Sequence, residues 1–247
     1  MLPFPYEASV ARTLHVLAAL VLSTLVGGLA LGRLNEERTC RLPRWLRIGL
    51  SGALLVSALI HLLWGAWETQ ARLYAIFIFL GMLSGFAGDL IMARLVRVPN
   101  RLVFGMAAFG VGHLLYSAAF WGICQWIGAW PGGLVASLVL AVLLVIGAWW
   151  RLIRKPGGSR AINLGSLGYA VLIALMVVLA LRVASQVTCL TGLGVGALLF
   201  LVSDLVLGNW QVRGHAWTSV NDLIWTTYVL GQLLIVSSVA GAVACFG

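Results

Sequence analysis

Two aspartates interrupt long apolar stretches of the chain. Asp89 lies within the run 81–90 and Asp204 within the run 196–205. An ionisable side chain in lipid hydrocarbon costs at least about 2.5–3.5 kcal/mol, so each aspartate needs a structural or chemical reason. Two carboxyl groups that share an apolar site can divide acid and base work between them, because burial and a second nearby carboxyl both favour the protonated form of one of them.

Small residues precede each aspartate on the same side of a helix. Gly81, Gly85 and Asp89 recur at i, i+4 and i+8, and Gly196 stands eight residues before Asp204. Small residues let helices approach closely within a membrane. We therefore expect both aspartates to point into a helix bundle. The alternative is a structural aspartate that is bonded to a neighbouring helix.

Other polar side chains lie in apolar runs at helical spacing. His113 and Tyr116 are separated by three residues, and Tyr228 and Gln232 by four, so each pair shares a helix face. Ser203 directly precedes Asp204. These five residues are candidates for positioning a substrate or a water molecule beside the aspartates.

The composition excludes a soluble globular protein. Hydrophobic residues make up 62% of the 247 residues, charged residues make up 9%, and the mean hydropathy is +1.03. Soluble domains carry about 25% charged residues. The long unbroken apolar runs also differ from the alternating pattern of a membrane β-barrel.

The apolar runs predict an all-α polytopic bundle that forms one integral membrane domain over residues 1–247. A helix needs about 20 apolar residues to cross a bilayer. The eight predicted spans are 10–32, 46–67, 73–93, 102–122, 133–153, 161–181, 187–208 and 222–244.

Basic residues predict the orientation of these spans. Of the 16 lysines and arginines, 13 fall in or beside the loops that join spans 1 and 2, 3 and 4, 5 and 6, and 7 and 8. Loops rich in Lys and Arg stay in the cytoplasm, so both termini are expected on the outer side of the membrane. The membrane is expected to be the inner (plasma) membrane of a bacterium. The formal charge of +9 is then a feature of topology, and no nucleic-acid partner is expected.

The four cysteines form no C-x-x-C pair, which argues against a thiolate metal site or a redox motif. Cys124, Cys189 and Cys245 fall near the predicted outer face. Whether a disulfide forms there is left open by the sequence.

An internal repeat is suggested by the surroundings of the two aspartates. Gly, Leu, Asp and Leu recur at matching positions of 81–95 and 196–210. The two windows are four spans apart and share one membrane orientation. A parallel four-plus-four repeat would make the aspartates pseudo-symmetric partners across a central cavity.

Four polar motifs resemble those of the YhhN/TMEM86 family. They are Gly-x-x-x-Gly-x-x-Gly-Asp in span 3, Phe-x-x-Gly-His-x-x-Tyr in span 4, Leu-Phe-x-x-Ser-Asp in span 7 and Tyr-x-x-Gly-Gln-x-Leu-Ile in span 8. The resemblance implies an eight-span membrane protein. Spans 1, 2, 5 and 6 carry no such signature.

The characterised animal members of that family are lysoplasmalogenases, so the resemblance implies an ether hydrolase. Such an enzyme cleaves the vinyl ether of a lysoplasmalogen to a fatty aldehyde and glycerophosphoethanolamine or glycerophosphocholine. Its partners would be the lysophospholipid substrate and membrane lipids, and no cofactor is implied. The residues that fall on the family's polar positions are Asp89, His113, Tyr116, Ser203, Asp204, Tyr228 and Gln232.

Our hypothesis for the chemistry is that Asp89 and Asp204 act as an acid/base pair. One carboxyl protonates the vinyl ether and the other stabilises the resulting cation and activates water, as paired carboxylates do at glycosidic bonds. The headgroup phosphate is expected among the arginines of the cytoplasmic face, namely Arg94, Arg97, Arg101 and Arg213.

Three other functions remain open at this stage. Asp89, His113, Asp204 and His61 could bind a metal ion in an intramembrane lipid hydrolase, although no local H-E-x-x-H spacing occurs. Buried aspartates and a repeat would also suit a proton-coupled transporter of a small amphiphile. A lipid-binding scaffold is the third alternative.

Overall fold

A computed structural model of the protein describes residues 6–128 and 133–247, and within these ranges it contains helices and loops but no β-strand. Two helices end in a π-helical turn, α2 at Ala66 and α5 at Ile153, and a short 3₁₀ turn precedes α7. The helices are α1 (Ala8–Leu31), α2 (Arg44–Ile60), α3 (Arg72–Met92), α4 (Arg101–Trp126), α5 (Gly133–Ala148), α6 (Arg160–Gln186), α7 (Thr191–Gln211) and α8 (Val220–Phe246).

These eight helices confirm the predicted all-α membrane architecture. Each is long and apolar enough to cross a bilayer when the π-helical and 3₁₀ turns are included. Most ends agree with the predicted bounds within about four residues. The one end that differs by more is that of α6, which extends to Gln186.

The most extensive contacts join neighbouring helices in two matching groups. Helix α3 packs along α4, and α7 packs along α8. Each of these pairs is flanked in the same way, α3 by α2 and α7 by α6, while α1 and α5 pack on the outside against α2 and α6. Contacts of α4 with α6 and of α8 with α2 join the groups. This packing order matches a parallel four-plus-four arrangement.

Glycines set the distance between α7 and α8. Gly196 and Gly231 face each other, and a Cβ atom at either position would lie 2.9 Å from the backbone oxygen of the other. A Cβ atom at Gly231 would also lie 3.0 Å from the backbone nitrogen of Phe200. Because backbone atoms have little room to move, these positions require residues without a side chain.

The loop that joins α1 and α2, residues 32–43, is folded against the start of α8. The backbone nitrogens of Ser219 and Asn221 donate to the carbonyl oxygens of Arg38 and Thr39, each at 2.9 Å. Asp222 accepts from the backbone nitrogen of Arg41 at 2.7 Å and from its guanidinium at 3.1 Å. These bonds fix the arginine-rich loop over one end of the bundle.

A disulfide between Cys189 and Cys245 lies at the opposite end of the bundle. It joins the segment before α7 to the last turn of α8, and so settles the question that the sequence left open. Cys40 and Cys124 are buried free thiols. Burial raises the pKa of the Cys40 thiol, which lies in the 32–43 loop, so this thiol is a weak nucleophile.

The contact between Gly196 and Gly231 predicts that Gly231→Ala destabilises the protein. The added methyl group meets backbone atoms of α7, and overpacking of this kind costs about 1–3 kcal/mol. Thermal unfolding in detergent should show a lower midpoint for this variant. Gly122→Ala is the control, because no described atom lies within 4 Å of the position its Cβ would take. Equal midpoints for the two variants would contradict the close packing of α7 against α8.

Candidate active site

Asp89 is buried, and two hydroxyl groups hold it in place. Only 5% of the surface of this residue is exposed. The Ser51 hydroxyl of α2 donates to Oδ2 of Asp89 at 2.5 Å, and the Tyr228 hydroxyl of α8 donates to the same oxygen at 2.8 Å. Both donors are neutral groups. The carboxyl is therefore fixed by two helices and has no cation among its hydrogen-bonding partners.

Asp204 has a different set of partners, although it is also buried, at 8% exposed. The Tyr169 hydroxyl of α6 donates to its Oδ2 atom. Nε2 of His113 in α4 lies 3.1 Å from the same oxygen and 2.9 Å from the Tyr169 hydroxyl. Nδ1 of His113 lies 3.3 Å from the sulfur of Met176. This carboxyl thus contacts an imidazole that can carry positive charge.

An aromatic side chain links the two clusters. The ring of Phe200 lies 4.9 Å from the ring of His113 and 5.4 Å from the ring of Tyr228. Phe109 packs edge-on against Tyr228 at 6.2 Å and lies against Gly88, one residue before Asp89. Phe200 thus lies between a residue of one cluster and a residue of the other.

The two clusters have matching positions in the two halves of the chain. The same separation in sequence relates Asp89 to Asp204 and His113 to Tyr228. In each half, a residue of the following helix contacts the aspartate of the other half: Tyr228 contacts Asp89, and His113 contacts Asp204. The matching positions thus perform matching structural roles, with tyrosine in one half and histidine in the other.

Both aspartates line one cavity of about 580 Å³, a volume typical of small-molecule sites. Its inner wall includes Tyr228 and Phe109. Its other wall is formed by the 32–43 loop and the first turn of α2. The cavity therefore extends from the buried carboxyl groups to the arginine-rich face of the bundle. Neither carboxyl forms an ion pair with an arginine in the described part of the chain.

The residues predicted to position a substrate fall into two groups. Tyr228 and Ser203 line the cavity, and His113 reaches Asp204 from outside it. Tyr116 and Gln232 do not line it; the Tyr116 hydroxyl donates to Oε1 of Gln232 at 2.7 Å. That bond ties α4 to α8, and a role of these two residues in positioning a substrate stays a prediction.

The four arginines expected to bind a headgroup are also divided by the structure. Arg101 lines the cavity, whereas Arg94, Arg97 and Arg213 do not. The other arginines at the cavity come from the 32–43 loop and the start of α2, and they are Arg33, Arg41, Arg44 and Arg47. The sequence shows which face is basic but does not show which loop folds over the opening.

Two direct partners of the aspartates are absent from the sequence-based prediction, namely Ser51 and Tyr169. Both lie in spans that carry no family motif. Tyr169 is the one tyrosine in the apolar stretch 161–181, and that is a signal that could have identified it. Ser51 resembles the other serines of apolar helices, and only its contact with Asp89 distinguishes it.

A metal-dependent hydrolase would need several metal-ligating side chains close together. Within residues 6–128 and 133–247, no group of three or more His, Cys, Asp or Glu side chains is close enough to hold an ion. His61, the fourth residue considered for such a site, bonds through Nδ1 to the hydroxyl of Tyr6 at 2.9 Å. Neither Tyr6 nor His61 lines the cavity.

The fold and site define a polytopic helical membrane protein with paired buried carboxyl groups in a cavity that opens at its basic face. A sequence model of the YhhN family matches residues 47–239, and the chain belongs to this family. The match includes both aspartates and every residue that bonds to them. No curated protein and no solved structure matches the chain.

Two buried serines provide a matched test of how Asp89 is held. Ser51→Ala removes a donor from a buried carboxyl group, which costs about 1–3 kcal/mol in the free energy of unfolding. Ser117→Ala removes a hydroxyl whose oxygen is buried without a hydrogen-bond partner, so this variant should be as stable as the wild type. Thermal unfolding in detergent measures both. A Ser51→Ala protein as stable as Ser117→Ala would show that the hydroxyl does not hold Asp89.

Proposed function

We propose that this protein is a membrane-embedded ether hydrolase that cleaves the vinyl ether bond of lysoplasmalogens. The products are a fatty aldehyde and glycerophosphoethanolamine or glycerophosphocholine. The observation that carries the proposal is the pair of buried carboxyl groups in one cavity that leads to a basic face. Membership of the YhhN family supports it.

We assign the acid to Asp89 and the carboxylate to Asp204. Asp89 is buried and no cation bonds to it, so burial favours a proton on this carboxyl. Asp204 contacts His113, whose protonated ring would compensate a negative charge. The two sites thus differ in both bonding partners, which are Ser51 and Tyr228 at Asp89 and Tyr169 and His113 at Asp204.

The first half of the reaction consumes the proton of Asp89. That proton is transferred to the β-carbon of the vinyl ether, and the electron pair of the double bond forms the new C–H bond. The resulting oxocarbenium ion is stabilised by the charge of Asp204. Water then adds to the cationic carbon, Asp204 takes the proton that the water loses, and a hemiacetal forms.

The second half restores both carboxyl groups. Asp89, now ionised, takes the proton of the hemiacetal hydroxyl while the bond to the glycerol oxygen breaks. Asp204 donates its proton to that leaving oxygen, and the carbonyl of the aldehyde forms. Asp89 ends protonated and Asp204 ends ionised, so the pair is ready for another turnover without any external acid or base.

Substitution of either aspartate should stop aldehyde release. An amide cannot donate or accept the required proton, and general acid–base catalysis contributes about 10²–10⁴-fold. We expect Asp89→Asn and Asp204→Asn to lose at least about 10²-fold in turnover of a lysoplasmalogen in detergent or nanodiscs. Glu36→Gln, a change in an exposed acid of the 32–43 loop, is the control and should keep wild-type turnover. Turnover near that of the wild type in either aspartate variant would reject the pair.

We further propose that the arginine-rich face is cytoplasmic and that both termini lie outside a bacterial plasma membrane. Basic loops are retained in the cytoplasm, and a disulfide forms in an oxidising compartment. The Cys189–Cys245 disulfide lies at the end of the bundle away from the 32–43 loop, so the two criteria favour the same orientation.

Thiol labelling tests this orientation. After mild reduction of intact spheroplasts, a membrane-impermeant maleimide should label Cys189 and Cys245, which are exposed, and should not reach the buried Cys40 and Cys124. A variant with both Cys189→Ser and Cys245→Ser should show no labelling. Labelling that occurs only in inside-out vesicles would reverse the proposed topology.

A further inference from the structure

The cavity that holds Asp89 and Asp204 also carries a cluster of arginines. The arginines that line it are Arg33, Arg41, Arg44, Arg47 and Arg101. Glu37 is the one acidic side chain from the 32–43 loop among the lining residues that the structure describes. Such an excess of one charge around a concave surface attracts anions.

Most of these arginines are not neutralised by the protein itself. Arg41 pairs with Asp222 at 3.1 Å and thereby holds the loop. The remaining four form no ion pair with any described residue. The guanidinium of Arg47 lies 5.5 Å from the ring centre of Trp225, and its Nε atom is buried without a hydrogen-bond partner. A buried donor of this kind is normally satisfied by an acceptor.

Helix N-termini add to the positive potential at this place. Arg44 is the first residue of α2 and Arg101 is the first residue of α4, and both line the cavity. Asn221, in the first turn of α8, lines it as well. The N-terminus of a helix carries a partial positive charge, which favours phosphate and carboxylate groups.

We infer that this arginine cluster, formed by Arg33, Arg44, Arg47 and Arg101, is a binding site for the phosphate of a single-chain glycerophospholipid. Guanidinium groups bind phosphate oxygens through short charge-assisted hydrogen bonds. A phosphate held there leaves the deeper, apolar part of the cavity for the glycerol and the first atoms of the chain. Only the placement of a reacting bond beside the aspartates rests on the proposed function; the phosphate site does not.

The site is tested by binding, with two lipids that differ in the phosphate. The probes are lysophosphatidylethanolamine with an ester-linked oleoyl chain, which has no vinyl ether to cleave, and monooleoylglycerol, which lacks the phosphate. Arg44→Gln and Arg101→Gln should each weaken binding of the first probe about tenfold, as expected for loss of one charged hydrogen bond. Both variants should bind monooleoylglycerol as the wild type does.

Arg160→Gln is the matched control. Arg160 is the first residue of α6, so it occupies the same position in its helix as Arg44 and Arg101 do in theirs, but it does not line the cavity. This variant should bind both lipids normally. Thermal unfolding of all three variants verifies that each protein is folded.

Inorganic phosphate distinguishes a lipid headgroup from a free anion. The headgroup assignment is supported if inorganic phosphate displaces the lysophospholipid only at concentrations far above that of the lipid. Binding of phosphate should then also be weaker in Arg44→Gln and Arg101→Gln. Tight binding of inorganic phosphate alone, without binding of the lipid, would overturn it. Unchanged lipid binding in Arg44→Gln and Arg101→Gln would overturn the site. The probe has no vinyl ether, so its binding does not depend on the proposed reaction. If the wild-type protein fails to cleave a vinyl ether in a separate assay, that result counts against the proposed reaction and not against this site.

Discussion

The cost of placing two carboxyl groups inside a membrane bundle shapes the rest of this structure. Each carboxyl must find hydrogen-bond donors on other helices, because lipid offers none. Ser51 and Tyr228 supply them for Asp89, and Tyr169 and His113 supply them for Asp204. The donors come from α2, α8, α6 and α4, so the requirements of two side chains fix the relative positions of six helices.

The two halves of the bundle surround similar aspartates with different partners. Asp89 bonds to side chains of α2 and α8, whereas Asp204 bonds to side chains of α6 and α4. Tyr228 and His113 occupy related positions, yet one is neutral and the other can carry charge. Paired carboxyl groups become an acid and a base when their surroundings favour different protonation states. The proposed division of roles rests on this difference in partners, with Ser51 and Tyr228 at Asp89 and Tyr169 and His113 at Asp204.

The sequence predicts the membrane architecture well because hydrophobicity acts along the chain. Eight apolar runs of sufficient length determine eight helices, and glycines spaced by four place Asp89 on a buried face. The partners of the aspartates are less predictable, since Ser51 lies far from Asp89 in sequence and no local pattern relates them. The arginines at the cavity also escape sequence analysis, because their position depends on how the 32–43 loop folds against Asp222.

The central claim is that Asp89 holds a proton while Asp204 does not, and infrared spectroscopy tests it most directly. A protonated carboxyl group absorbs at the C=O stretching frequency of a carboxylic acid, which an ionised carboxylate lacks. At neutral pH the wild-type protein in a detergent without ester or carboxyl groups should show this band, Asp204→Asn should retain it, and Asp89→Asn should lose it. A band that persists in Asp89→Asn and disappears in Asp204→Asn would reverse the two roles, and its absence from the wild type would contradict the account.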